Sequence, residues 1–165
     1  MGKKQTHRSA PRGRDKERIM SHSVSVVYLH LVFSTKDRQP HIVSTWQNEL
    51  YAYIGGIIKN LQSQPIIING TTDHIHILCT LPREMDIATF MRNMKASSSK
   101  WVHQHHNPHF AWQEGYGAFS VGLSNLEQVK GYIRNQAKHH DKQGFVEEYN
   151  AMLRAFGLVP YGEKE

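Results

Sequence analysis

The chain has one cysteine in 165 residues, Cys79, which excludes an internal disulfide and any zinc site built on thiolates. No apolar stretch approaches the roughly 18–20 residues that a bilayer-crossing helix needs, so no membrane contact is expected. The N-terminus is basic but has no apolar segment behind its charges, and it does not read as a secretory signal. A cytoplasmic protein is expected. Acidic residues are scarce at that same end. Residues 1–20 hold Lys3, Lys4, Arg8, Arg12, Arg14, Lys16 and Arg18 against only Asp15 and Glu17. Most of the formal charge of +6 therefore sits in the tail, and residues 21–165 are nearly neutral by count. Such a tail can bind phosphates through counterion release. It can equally be a solvated extension, with Met20 opening the ordered chain.

What is present suits one folded domain. A chain of this length buries a proper core, and 39% hydrophobic with 10% aromatic residues argues against wholesale disorder. The expected division is a basic tail over 1–20 and a single domain over 21–165, with no internal repeat.

The segment S-H-S-V-S-V-V-Y-L-H-L-V-F-S (21–34) is rich in β-branched residues and reads as a strand. Residues 44–61 follow helical periodicity, and Ser44 with Gln47 fits a capping box. Next, P-I-I-I-N-G-T-T-D-H-I-H-I-L-C-T-L places two β-rich runs around Asn69-Gly70, a pair that tolerates the positive φ of a tight hairpin. Asp86 looks like the N-cap of a helix over 87–105. The stretch 110–121 reads as strand interrupted by glycine. Ser124 with Glu127 makes a second capping box, opening a helix to about His140. A last helix is expected from Phe145 to Phe156, closed by Gly157. The order β-α-β-β-α-β-α-α predicts an α+β fold: a ferredoxin-like split βαβ unit, an antiparallel sheet with helices packed on it, plus an added tyrosine-bearing helix toward the C-terminus.

Two constellations carry chemistry. In the strand D-H-I-H-I-L, side chains two residues apart share a face, so His74 and His76 project together while Ile75 and Ile77 point away. Two neutral imidazoles on a rigid strand suit a divalent metal; they also suit an ordinary solvated sheet face. In V-K-G-Y-I-R-N-Q-A-K-H-H (129–140), Leu126, Val129, Ile133 and Ala137 form the apolar stripe of a helix. Tyr132 and Gln136, four apart, lie along one border of it. By itself Tyr132 is either a packing residue with its hydroxyl in water or a nucleophile, with Gln136 offering a carbonyl oxygen to a metal.

H-I-H on a strand followed by Y-x-x-x-Q on a helix resembles the IS200/IS605-type transposases, the single-tyrosine HUH (His-hydrophobe-His) endonucleases. The resemblance runs from about His22 to Gly157. It includes H-L-V-F-S-T-K-D-R-Q-P and F-A-W-Q-E-G-Y-G-A-F-S-V. It implies that His74, His76 and Gln136 bind a divalent ion, Mg²⁺ or Mn²⁺, and that Tyr132 is the nucleophile. It further implies cleavage and rejoining of single-stranded DNA beside hairpins, through a 5′-phosphotyrosine intermediate. Family members act as homodimers in which one subunit's tyrosine helix can complete the other's metal site. A bacterial protein, at the nucleoid when acting, is the implied setting.

Other residues are open to two readings. Lys36 and Arg38 are phosphate contacts or parts of a solvated turn, and Arg92, Lys95 and Lys100 on the second helix stand likewise. His140 falls near the Gln136 side, where it can line the site. The run W-V-H-Q-H-H-N-P-H (101–109) is a polar helix end suited to the helix dipole or a transition-metal site. Asp73 should serve the turn and Cys79 should be a buried small hydrophobe, both facing away from the histidines. Against the enzyme stands a domesticated, non-catalytic relative that only binds hairpin DNA. A third reading is a metal-binding protein working through residues 103–109.

Overall fold

A computed structural model describes residues 23–136 and 144–160. The basic tail, Ala137, His140 and the rest of 137–143 lie outside the described residues. Strand β1 (Tyr28–Ser34) leads through a 3₁₀ turn (Lys36–Arg38) to helix α1 (Gln47–Asn60). Strands β2 (Pro65–Gly70) and β3 (His74–Thr80) follow, then α2 (Ile87–His105) and β4 (Gly117–Val121). A second short turn (Leu123–Asn125) opens α3 (Leu126–Arg134), and α4 (Phe145–Ala155) comes last. The four strands pair antiparallel in the order β2-β3-β1-β4, the ferredoxin-like arrangement.

The alternation of the strands sorts the sheet into two faces. Leu29, Leu31 and Phe33 of β1 join Ile75, Ile77 and Cys79 of β3 on one face. They are buried there against Leu50, Ile54 and Ile58 of α1 and Phe90, Met91 and Met94 of α2. Full burial of each such aliphatic side chain contributes about 1.5–3 kcal/mol, which makes this face the main source of stability. The opposite face carries His30, Val32 and Ser34 beside His76 and His74. The late helices cover it: Val32, Phe119 and Leu153 form a small core with Phe145, Tyr149 and Met152 of α4.

Several local expectations need correction. The β2–β3 turn is Thr71–Asp73, because Asn69 and Gly70 are already paired with His76 and Ile75. Gly70 is needed for closeness, since a Cβ there would lie 2.2 Å from the His74 carbonyl oxygen. Asn69 instead caps α3, its Nδ2 donating to the carbonyls of Ile133 (2.9 Å) and Arg134 (3.1 Å). Neither capping box forms. The N-caps of α1 and α3 are Trp46 and Asn125, with no side-chain cap bond. Asp86 does cap α2, accepting from the Thr89 amide at 2.8 Å. The first strand begins at Tyr28, leaving 23–27 exposed ahead of it. The last strand starts only at Gly117, where a Cβ would collide with the rings of Phe119 and Tyr149 at 2.8 Å. That bare glycine is what lets α4 approach the sheet. Finally, α3 ends at Arg134 with Gln136 just past it, and the remainder of the helix expected to about His140 lies outside the described residues.

Candidate active site and metal centre

The tyrosine helix is held over the histidine face by Asn69, whose side chain shares that face with His76 and grips the end of α3. Ile133 is fully buried there, so Tyr132, the next residue back, is set against the histidines. The ring centroids of Tyr132 and His76 are 5.7 Å apart, edge to face. Within one chain, therefore, Tyr132 meets His74, His76 and Gln136. Both imidazoles and the Gln136 amide are completely buried.

The residue that ties them together, Glu148 of α4, is missing from the sequence-based site. Its Oε1 accepts hydrogen bonds from the Tyr132 hydroxyl and from Gln136 Nε2 (2.8 Å). Its two oxygens face His74 Nε2 at 3.4 Å and His76 Nε2 at 3.5 Å. Gln136 Oε1 is 3.3 Å from His74 Nε2. A signal for Glu148 does exist in the chain. It is an acid on the apolar stripe Phe145, Tyr149, Met152, where a charge needs partners to be tolerated.

Each histidine is anchored through its other nitrogen. His74 Nδ1 donates to Asp73 Oδ1 at 2.8 Å, and Thr71 Oγ1 also bonds that carboxylate. Asp73 thus belongs to the turn as expected but turns its carboxylate toward His74. His76 Nδ1 shares a hydrogen bond with His30 Nε2 at 2.9 Å. Such partners fix which nitrogen is left for a metal, here Nε2 of both rings.

The electrostatics follow from burial and these contacts. Burial pulls the His74 imidazolium down, but the hydrogen bonds and charges of Asp73 and Glu148 outweigh it and lift its pKa to about 9. His76 is held well below the usual imidazole value by burial and by its neighbours His30 and His74, against the pull of Glu148. Burial likewise lowers His30 to about 4. Burial raises Glu148, yet His74, His76, Tyr132 and Gln136 prevail and bring it to about 2. Tyr132 is pushed above its ordinary value by burial and by the Glu148 carboxylate. The pocket thus holds one imidazolium, His74, and two neutral imidazoles with two carboxylates, an environment that favours a cation.

The donor set fits a divalent ion. Donor atoms of His74, His76 and Glu148 all lie within 4.8 Å of one another, and among the described residues this is the one His/Cys/Asp/Glu group so disposed. Among the described residues His76 Nε2, fully buried, has no hydrogen-bond partner, which leaves it to a ligand of another kind.

The other candidates do not converge here. Lys36 and Arg38 are exposed, leaving the sheet at the end where Ser34 pairs with His74. Arg92, Lys95 and Lys100 ride on α2, across the sheet from the histidines. Arg92 and Lys100 are exposed, while Lys95 Nζ is engaged by the carbonyls of Gln113, Glu114 and Gly115. Of the histidines in 101–109, His106 stacks on Trp46 at 5.0 Å, His103 bonds the Phe110 carbonyl, and His109 is exposed. Cys79 lies in the main core, its thiol pushed up to about 12 by burial.

The family model described as "Transposase IS200 like" matches residues 23–136. Transposases for insertion sequence element IS200 from Salmonella typhimurium and Salmonella typhi are each 26% identical over 140 residues, covering 78% of this chain and 88% of theirs. Among solved structures, a candidate transposase from Deinococcus radiodurans R1 superposes with a TM-score of 0.57 at 21% identity, over 77% of this chain and 98% of that one. A REP-associated tyrosine transposase bound to a REP hairpin gives 0.53 at 15% identity, over 90% and 92% of the two chains. These two likenesses establish the α+β fold. No described helix is long and apolar enough to cross a membrane.

Proposed function

Because the chain belongs to the IS200-like transposase family, we propose that it cuts and rejoins single-stranded DNA at hairpin-flanked element ends, with Tyr132 as nucleophile and a divalent ion at His74 and His76. The observation that carries this reading is that Tyr132, both histidines and Gln136 meet around one buried carboxylate, Glu148. The convergence is difficult to account for in a protein that only binds hairpins, since binding has no use for a half-buried phenol beside two imidazoles.

In the proposed reaction the Tyr132 oxygen bonds the scissile phosphorus and the bond to the 3′-oxygen breaks. That leaves a 5′-phosphotyrosine and a free 3′-hydroxyl, and the phosphodiester energy is kept for rejoining. A free phenol is a poor nucleophile at neutral pH, and the burial around Tyr132 makes it poorer still. A bound Mg²⁺ or Mn²⁺ would supply the missing help by neutralising the phosphate and stabilising the leaving oxygen. The chain's own residues supply placement. Asn69 fixes the tyrosine helix, Asp73 and His30 fix the imidazoles, and Gln136 adds an amide to the ion's surroundings.

The implied partners are single-stranded DNA carrying hairpins and a second copy of the chain. Lys36, Arg38 and the basic tail are the proposed phosphate contacts, in one catalytic domain over 21–165 acting at the bacterial nucleoid. The test is covalent trapping. A labelled single strand cut from an element end, incubated with Mn²⁺, should form a denaturant-stable adduct with the protein. Tyr132→Phe should abolish the adduct; an adduct that persists in that variant removes Tyr132 from its role. Hairpin binding without any cleavage by the unaltered chain would favour the non-catalytic relative.

A further inference from the structure

We propose that Glu148 is the third protein ligand of the ion held by His74 and His76, with Gln136 as the positioning residue that aims it. The proposal rests on the metal-dependent reading above and deepens it by changing one member of the ligand set. Glu148 lies in α4, beyond residue 136, where the match to the family model ends. Nothing in that match assigns it.

Three lines of geometry support the assignment. First, Glu148 faces both imidazoles, at 3.4 and 3.5 Å, and the Gln136 oxygen lies 3.3 Å from His74. Ligands bonded at about 2.0–2.2 Å to one ion stand about 3–4.4 Å apart, so the observed spacing needs little adjustment. Second, Gln136 Nε2 donates to Glu148 Oε1 at 2.8 Å, so the amide nitrogen holds the carboxylate toward the histidines. Third, His76 Nε2, fully buried and without a hydrogen bond, is aimed at the same carboxylate.

Chemistry points the same way. Mg²⁺ and Mn²⁺ favour hard, charged oxygen donors, and a carboxylate outranks an amide carbonyl on both counts. A buried carboxylate on the apolar stripe of α4 is also costly unless a cation answers it. His74, His76 and Glu148 together would leave further positions on the ion for phosphate and water.

The experiment is titration of the full-length, DNA-free protein with Mn²⁺ alone, read by calorimetry and by electron spin-echo detection of imidazole nitrogen coupled to the bound ion. Glu148→Gln is isosteric and keeps an acceptor for Tyr132. It should weaken Mn²⁺ binding by tenfold or more while the nitrogen couplings of the remaining bound ion persist. Gln136→Leu should weaken binding less than Glu148→Gln does. Unchanged affinity in Glu148→Gln, or a larger loss in Gln136→Leu, would overturn the assignment. If His74→Ala and His76→Ala also bind Mn²⁺ as the unaltered protein does, the metal-dependent function fails with it, an outcome distinct from loss of the Glu148 assignment alone.

Discussion

His74 and Asp73, neighbours in sequence, are joined by a 2.8 Å hydrogen bond from the His74 Nδ1–H to the Asp73 carboxylate. Adjacent residues in a strand point to opposite faces, so this contact exists only because Asp73 still belongs to the turn. Together with Glu148 on the other side of the ring, it makes His74 a proton holder whose pKa rises to about 9. A metal must take that proton's place.

Metal binding should therefore strengthen with pH. Below about 9 His74 carries a proton that the ion has to displace, so apparent affinity should improve about tenfold per pH unit through the neutral range and level off above that value. Mn²⁺ titrations at several pH values between 6.5 and 9.5 would measure this. A flat profile would show that His74 is already neutral.

The same shifts predict a stability optimum for the metal-free protein. His74 binds its proton more tightly folded than unfolded, with a pKa of about 9 against an ordinary 6.5. Its stabilisation is complete below the lower value and is lost as pH rises through the upper one, an effect on the order of 3 kcal/mol. His30 behaves oppositely. With a folded pKa of about 4, it destabilises the fold as pH falls from 6.5 toward 4. Urea midpoints should peak near pH 6–7 and decline on both sides. Saturating Mn²⁺ should flatten the alkaline side, because the ion replaces the proton.

His30 also sets the state of its neighbour. Its hydrogen bond to His76 Nδ1 leaves Nε2 as the nitrogen turned toward Glu148. Replacing His30 with Phe keeps an apolar ring between Phe119 and Tyr132 but removes that bond. Loss of such a supporting contact should weaken Mn²⁺ binding about 10- to 100-fold. The far-ultraviolet circular dichroism should be unchanged.

These relationships were unequally legible in the sequence. The two faces of β3 followed from alternation alone, and Ile75, Ile77 and Cys79 do lie in the core opposite the histidines. The Asp86 cap was legible because Asp can reach an amide three residues on without tertiary help. The boxes at Ser44 and Ser124 had the same local pattern, yet the chain enters those helices from Trp46 and Asn125. Asn69-Gly70 looked like turn chemistry, but its roles are tertiary, a cap on α3 and a close approach to His74. The meeting of Tyr132, Gln136 and the histidines came from family likeness, whose motifs do not include Glu148. The buried acid in α4 was visible as an anomaly in its apolar stripe, though nothing local says which residues it answers.

Gly70 offers a test of that tertiary reading. A Cβ there would press on the His74 carbonyl and on Ile75 Cα at 2.8 Å, both backbone atoms that cannot swing aside. Gly70→Ala should therefore destabilise the fold by about 1–3 kcal/mol, as overpacking does. It should also weaken Mn²⁺ binding by shifting His74. A urea midpoint equal to that of the unaltered protein would show that the hairpin yields more easily than its geometry implies.

Access to the site is the remaining physical problem, because both imidazoles have no exposed surface and α4 lies across them. Movement of α4 would open a route for a phosphate. That helix is held by a small apolar cluster in which Leu153 meets Val32 and Phe119, much less than the core across the sheet. Leu153→Ala should remove about 2 kcal/mol or more of that hold. Its effect should fall on the docking of α4 before the fold as a whole. Carbethoxylation at pH 7 reads this directly, since His76 is neutral there and reacts wherever solvent reaches its free Nε2. His76 should be modified slowly in the unaltered protein and several-fold faster in Leu153→Ala, with exposed His109 reacting equally in both. Equal rates at His76 would mean that the route to the histidines lies elsewhere than under α4.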